Sequence, residues 1–505
     1  MTGPLCTRTA ALCDDIVARV GPDVGGQVQQ IHSRLGEPLR VAIAGRLKAG
    51  KSTLVNALIG RRVAPTAAGE CTRVVTRFRY GPADRVDVVT RDGARHSLPL
   101  SDTGMIPQRL GVNADRVAYV DVALTSERLR DLTVVDTPGL ASADPRLRER
   151  AEAVVRAPFD AGIDDGSAGE VAAAEAVVYV FTQAVRADDV QALDAFRAAT
   201  ARLASSPINA LGVFAKVDTL TGGAADPWPV AQPLARQQAT LLARTVADVV
   251  PVVGLLAETA QAGRLTTADC AALRELAALP TGELAVLLAS VDLFRTRPGP
   301  LDAARRERLL DLLDLYGIGF AVAQLAAQPQ LGTGELVRRL AHTSGFAHLQ
   351  NTVDSTLRWR SDAIKAGWAL GRLDRLAGRA AAGADRAALR DAVETLLRDP
   401  AYHRLRLLAA AQRVASGVVA LPPPWEQELI ALATSEDPRE ILGLPGAGPD
   451  ELADAAVRAA HRWRAYAVAG AGPAQARVAH VAHRGFHLLA QGVRGGAARP
   501  EGVGG

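Results

Sequence analysis

Residues 45–53 read Gly-Arg-Leu-Lys-Ala-Gly-Lys-Ser-Thr and follow the apolar run Val41-Ala42-Ile43-Ala44. A strand running into G-x-x-x-x-G-K-S predicts a phosphate-binding loop between that strand and a helix. Gly45 and Gly50 let the backbone turn sharply and approach a phosphate chain. The N–H groups of Arg46, Leu47, Lys48 and Ala49 then face inward as an anion nest. They lie at the positive end of a helix that begins near Lys51. The Lys51 ammonium is placed to reach β- and γ-phosphates, and the Ser52 hydroxyl to ligate Mg²⁺, with Thr53 completing the set.

Lysine usage points the same way. Of 58 basic residues, only Lys48, Lys51, Lys216 and Lys365 are lysine. A lysine kept in so arginine-rich a chain does something a planar fork cannot. Two of the four lie in the phosphate loop and a third in the base-reading motif. Lys365 reads as a solvated charge on a helix.

Two further motifs follow in the order expected of a GTPase. Asp136-Thr137-Pro138-Gly139 follows the apolar strand Leu132-Thr133-Val134-Val135. Asp136 would hold Mg²⁺ through water, and the Gly139 N–H would sense the γ-phosphate. Ala215-Lys216-Val217-Asp218 follows Leu211-Gly212-Val213-Phe214. Asp218 would accept from the guanine N1–H and 2-amino group, with the Lys216 stem along the ring. Adenine lacks that donor pair and would leave the carboxylate unpaired. Ala215 stands where an amide or hydroxyl usually braces the base, so weak nucleotide affinity is expected. Gly254 and Leu255, at the end of the next strand, are placed to offer an N–H to guanine O6.

This ordered set resembles the dynamin-like GTPases. The resemblance rests on Gly50-Lys51-Ser52-Thr53-Leu54-Val55-Asn56-Ala57-Leu58-Ile59-Gly60, and on Ala64-Pro65-Thr66 leading to Thr72, which matches the family's switch threonine. It rests also on Asp136-Thr137-Pro138-Gly139-Leu140, apolar where Ras-like proteins carry a water-positioning Gln, and on the long helical region beyond. Stretches such as Pro38-Leu39-Arg40-Val41-Ala42, Arg360-Ser361-Asp362-Ala363-Ile364-Lys365-Ala366 and Leu442-Gly443-Leu444 are similar to the actinobacterial isoniazid-inducible dynamin-like proteins. The resemblance implies Mg²⁺ as cofactor, with GTP as substrate and GDP as product. It implies Ser52, Thr72 and Asp136 at the metal, and Lys48, Lys51 and Thr72 as catalytic residues. Lys48 would take the place of a monovalent cation or an arginine finger, because Leu47 cannot orient water. The implied partners are a second copy through the GTPase heads, a paralogous dynamin-like protein, and an anionic membrane surface. The implied location is cytoplasmic, peripheral to the inner face of the cell membrane. Two other readings stand beside membrane remodelling: a soluble GTP-dependent switch or scaffold, and a weakly active regulatory partner of a paralogue.

At 505 residues the chain needs two or three structural units. A hydrophobic content of 48% with 22% charge predicts a globular protein. The net charge of +4 is too mild for nucleic acid binding. The cysteines Cys6, Cys13, Cys71 and Cys270 show no metal spacing and point to a reducing compartment. The first residues lack a signal pattern, and no uninterrupted apolar run is long enough to span a bilayer.

The predicted fold is an α/β P-loop GTPase domain, mostly parallel with helices on both faces, followed by an extended helical neck and stalk. Predicted strands lie at 41–44, 74–80, 85–90, 117–124, 131–135, 176–181, 209–214 and 249–253. Residues 142–170 read as a mobile switch or assembly loop. Long helices are expected at 303–327, 334–380, 384–413, 449–470 and 472–493. The expected division is 1–38, helices joining the bundle; 39–295, GTPase domain; 296–494, neck and stalk; and 495–505, a disordered tail. Trp425, after Pro422-Pro423-Pro424, is a candidate membrane contact at a stalk tip. His480, His483 and His487 share a helical face that reads as wetted and mildly basic.

Overall fold

The computed structural model describes residues 3–46, 48–65, 74–137, 174–182, 193, 209–222, 224–242, 245–358, 360–397, 400–415, 417, 419–435 and 437–497. The expected mobile loop at 142–170 lies outside them.

A single nine-stranded sheet organises the first half. Its strands are β1 (Leu39–Gly45), β2 (Thr76–Tyr80), β3 (Arg85–Thr90), β4 (Arg95–Leu98), β5 (Val117–Leu124), β6 (Leu132–Asp136), β7 (Ala176–Phe181), β8 (Ala210–Ala215) and β9 (Val249–Val252). They stand in the order β4-β3-β5-β2-β6-β1-β7-β8-β9. The run β6-β1-β7-β8-β9 is parallel throughout, and antiparallel pairing is confined to the β2, β3 and β4 side. Strand β4 was not expected. Its Arg-His-Ser-Leu sequence is mostly exposed at the sheet edge, so it carries no apolar alternation to read.

Side chains alternate across the central strands. Ala42, Ala44, Tyr179, Phe181 and Phe214 enter one core, and Val41, Ile43, Val178, Val180 and Val213 enter the other. Helix Lys51–Ile59 covers the second face. Helices Trp228–Leu241, Thr267–Ala277, Ala303–Ala327 and Thr333–Thr343 cover the first. Residues 303–343 thus pack on the sheet, and the expected boundary at 295 falls inside one shared core. Helical periodicity shows that a face will be buried, not what will cover it.

Helix Ala303–Ala327 is long and apolar enough to cross a membrane, although Arg, Asp and Gly residues interrupt its apolar sequence; most of its apolar window is buried in this core. It breaks at Asp314, where φ is 51°. The break is capped on both sides. Thr259 Oγ1 donates to the Leu312 carbonyl at 2.6 Å, and the Leu315 N–H donates to Asp314 Oδ1 at 2.7 Å. The expected helix over 334–380 is likewise several pieces: Thr333–Thr343, Phe346–Val353, a π-type turn Asp354–Arg358, and Ser361–Arg379. Gly345, at φ 75°, makes the first corner, where a Cβ would meet the Pro251 carbonyl oxygen at 2.6 Å.

Two helical cores follow. Helices Pro4–Val17 and Pro22–Gly36 pack with Ser361–Arg379 and Gly383–Leu397 around Cys13, Ile16, Leu35, Leu373 and Leu389. Helices Pro400–Ala415, Pro423–Thr434, Pro449–Ala469 and Pro473–Ala497 enclose Trp463 and Phe486. The last helix extends to Ala497, past the expected start of the tail at 495. Trp425 belongs to this second core. Its ring stacks on Tyr466 at 4.6 Å and meets Trp463 edge-on at 4.8 Å, so the indole has aromatic partners within the fold rather than standing free at a tip. His483 is bonded through Nδ1 to the Ala460 carbonyl at 2.9 Å.

Lys365 corrects another expectation. It is buried, and its ammonium donates to the carbonyl oxygens of Leu35 and Glu37, at the end of helix Pro22–Gly36. A compact cation at helix-terminal carbonyls satisfies acceptors that the helix leaves open. Nearby, buried Glu175 accepts from Arg34 and from the Arg40 N–H, tying the helical core to the foot of β1.

Candidate nucleotide site

The loop after β1 is shaped by backbone sterics. Gly45 has φ 141°, and a Cβ there would lie 2.1 Å from the Val180 carbonyl oxygen, so only glycine fits. Gly50, at φ 95°, turns the chain into helix Lys51–Ile59. Within the loop, Lys51 Nζ donates to the carbonyls of Gly45 at 3.1 Å and Arg46 at 3.0 Å. The ammonium is therefore held across the loop mouth. Burial pulls its pKa down, and the Asp136 carboxylate opposes that shift.

Asp136 ends β6 opposite Ile43 of β1. Ser52 Oγ donates to Asp136 Oδ2 at 3.1 Å. The other oxygen, Oδ1, is buried and has no hydrogen-bond partner. Burial pushes this carboxyl up to about 6, against the pull of Lys51. A buried carboxylate oxygen left open beside a hydroxyl is a donor set that fits a hard divalent cation with its water shell. Ser52 and Asp136 are the residues here that would hold Mg²⁺. Thr137 sets the strand end, donating from Oγ1 to the Ile43 carbonyl at 2.9 Å.

The base loop follows β8. Lys216 is exposed, with φ 56°, and opens a short 3-10 turn, Val217–Leu220. Asp218 is half-buried there. Burial pushes its carboxyl up to about 6; its own backbone N–H opposes the rise, Asp314 adds to it and Lys216 opposes it. Gly254 and Leu255 open helix Gly254–Gln261, where first-turn N–H groups have no intrahelical acceptor. Gly254 also lies against the phosphate-loop helix, since a Cβ there would be 3.7 Å from Thr53 Cγ2. The loops that follow β1, β6, β8 and β9 all leave the carboxyl ends of parallel strands, the edge where such sheets bind ligands.

Comparison with known proteins decides the family. The dynamin family profile matches residues 41–192. The chain is 35% identical over 458 residues to the isoniazid-induced protein IniC of Mycobacterium tuberculosis, covering 88% of this chain and 87% of that one. The chain belongs to the dynamin family. It is a bacterial dynamin-like protein near IniC. It is also 32% identical over 126 residues to the isoniazid-induced protein IniA of the same organism, covering 23% of this chain and 20% of IniA. A solved chain from an oligomerised bacterial dynamin pair, described as sensing and tethering membranes, aligns over 97% of this chain and 90% of its own. Its TM-score is 0.33 and its identity 13%.

In this dynamin-family chain the structure brings Gly45, Arg46, Ala49, Gly50, Lys51, Ser52, Thr53 and Asp136 into one corner, with Lys216, Asp218, Gly254 and Leu255 on neighbouring strand ends. Lys48 is exposed at φ 62°. Leu47, Thr72 and Gly139 lie outside the described residues. Asp314 was missed. It sits nearly 100 residues downstream inside a helical pattern, at the helix break, and its negative charge adds to the rise at Asp218.

Proposed function

We propose that this dynamin-like protein binds GTP with Mg²⁺, hydrolyses it to GDP, and uses the cycle to remodel membrane at the cytoplasmic face. The observation that carries the reading is the Ser52–Asp136 contact at 3.1 Å, with an open buried carboxylate oxygen, beside a loop that already holds Lys51. Mg²⁺, when bound by Ser52 and Asp136, would screen the charge of the β- and γ-phosphates. Lys51 adds a fixed positive charge there, Asp218 selects guanine, and Thr72 orients the attacking water. Lys48, free to extend from an exposed left-handed turn, offsets charge in the transition state. Pairing of GTPase heads, with a second copy or a paralogous dynamin-like chain, closes the site from outside.

Ala215 and Leu47 favour a second reading, in which the chain is a weakly active partner whose turnover depends on a paralogue. One set of assays separates these. GTP turnover is measured with and without anionic liposomes, and with and without the paralogue, for the wild type and Lys51→Ala. Turnover that survives Lys51→Ala sinks the site assignment. Turnover that responds to the paralogue and not to liposomes favours the second reading. Asp218→Asn should shift preference from GTP toward xanthosine triphosphate, because an amide can donate to the 2-oxo group.

A further inference from the structure

Two helices of the nucleotide site end at the same place. Helix Lys51–Ile59 starts in the phosphate loop and runs out at Arg61 and Arg62. Helix Gly254–Gln261 starts just after β9, on the strand end neighbouring the base loop, and runs out at Gly263 and Arg264. Between these ends is a cavity of about 490 Å³, lined by Arg61, Arg62, Arg264 and Arg308 together with Gly104 and Gly263.

Four arginines line this space, and no acidic residue is among the described residues that line it. Three of the arginines are paired with acids outside that lining. Asp84 meets Arg61 at 2.8 Å, Asp311 meets Arg264 at 2.6 Å, and Asp269 meets Arg308 at 2.6 Å. Arg62 differs. Its nearest carboxylates, Glu258 at 3.5 Å from Nε and Asp311 at 3.7 Å from Nη1, are at or beyond the limit of a hydrogen bond, and the buried Nε makes none. An arginine held this way has donors left for a ligand. The Arg61 and Arg308 side chains are 36% and 49% exposed, so each guanidinium can reach a ligand while Asp84 and Asp269 keep their other hydrogen bonds, to Thr125 and Thr266.

Guanidinium forks match phosphate oxygens two at a time. The volume far exceeds one phosphate and is that of a small-molecule site. We propose that this cavity binds a multiply phosphorylated ligand, either a free oligoanion or a lipid headgroup, as a second anion site apart from the nucleotide loop. Its position couples it to that loop. Glu258, beside Arg62, accepts from Asn56 Nδ2 at 3.2 Å, and Asn56 Oδ1 accepts from the N–H groups of Val63 at 3.0 Å and Ala64 at 2.8 Å. A ligand that draws Arg62 away from Glu258 therefore acts on the segment leading into residues 66–73.

The test uses full-length, nucleotide-free protein. Inositol hexakisphosphate is titrated by calorimetry, and flotation is measured with phosphatidylcholine vesicles with and without cardiolipin, a lipid with two phosphates. Binding of the soluble probe is expected, with affinity lowered about tenfold or more by Arg62→Gln. The double variant Arg61→Gln/Arg308→Gln leaves Asp84 bonded to the Thr125 N–H and Asp269 to the Thr266 N–H, so it should fold normally and show a similar loss. Binding to cardiolipin vesicles alone, lost in the same variants, keeps the site and assigns the headgroup as its ligand. Binding of neither probe overturns the proposal, as does binding that both arginine variants retain. So does binding abolished by Lys51→Ala instead, which would place the anion in the phosphate loop.

Discussion

Acidification should weaken guanine nucleotide binding through one side chain, Asp218. Its carboxyl is pushed up to about 6, chiefly by burial at the end of β8. Guanine offers two donors, so the carboxylate binds it and the protonated acid does not. Affinity is therefore present above the pKa and lost as pH falls through it. With a pKa of about 6, the ionised fraction is roughly 0.9 near pH ~7 and roughly 0.1 near pH ~5. GDP affinity should fall about tenfold across that interval, or ~1.4 kcal/mol. Asp136 also titrates near 6 and acts in the opposite sense when Mg²⁺ is removed, since its protonation takes a negative charge away from the phosphates. Calorimetry of GDP binding in chelator, run on wild type and Asp218→Asn, separates the two. The variant keeps Asp136 and loses only the base carboxylate. The difference between the profiles should carry the tenfold drop. Superimposable profiles would falsify the assignment of Asp218 to the base.

Asp314→Asn removes the negative neighbour that raises Asp218 while keeping an oxygen for the Leu315 N–H, so the midpoint of the same profile should move to lower pH. A fixed midpoint would show that the helix break is unrelated to the base site. Lys48→Ala should leave GTP binding intact and slow hydrolysis about 10²-fold, less than an arginine finger would contribute. If the ammonium stands in for a cation, wild-type turnover should also be unchanged when K⁺ is replaced by a bulky organic cation; a strong K⁺ requirement argues against that role. Lys365→Met strips a buried cation from two carbonyl oxygens and should cost about 3 kcal/mol, read as earlier unfolding in urea monitored by helix content. A variant as stable as wild type would mean that those carbonyls find other donors.

Much of the sheet was legible because buried parallel strands are written as Val- and Ile-rich runs, and the runs around Val41, Val134, Val178 and Val213 match strand for strand. The phosphate loop was legible for a local reason as well. Its geometry demands glycine at Gly45 and Gly50, and a lysine and a hydroxyl at fixed steps beyond. Strand β4 was not legible, being short, polar and exposed, and helix breaks at Asp314 and Gly345 were hidden inside apolar periodicity.

By itself, then, the sequence determined the elements whose chemistry is local: the strand-loop-helix that can hold phosphate, the order of the nucleotide motifs, and the apolar stripes that require partners. The tertiary structure alone decided which stripe met which. It set helices 303–343 on the sheet, gave Trp425 to an aromatic cluster and turned Lys365 inward to cap a distant helix. It also brought the charge of Asp314 within reach of Asp218 and gathered four arginines from three segments around one cavity. The physical reason is that a period of 3.6 or 2 records that a face is buried, while the identity of its partner depends on contacts between residues hundreds of positions apart.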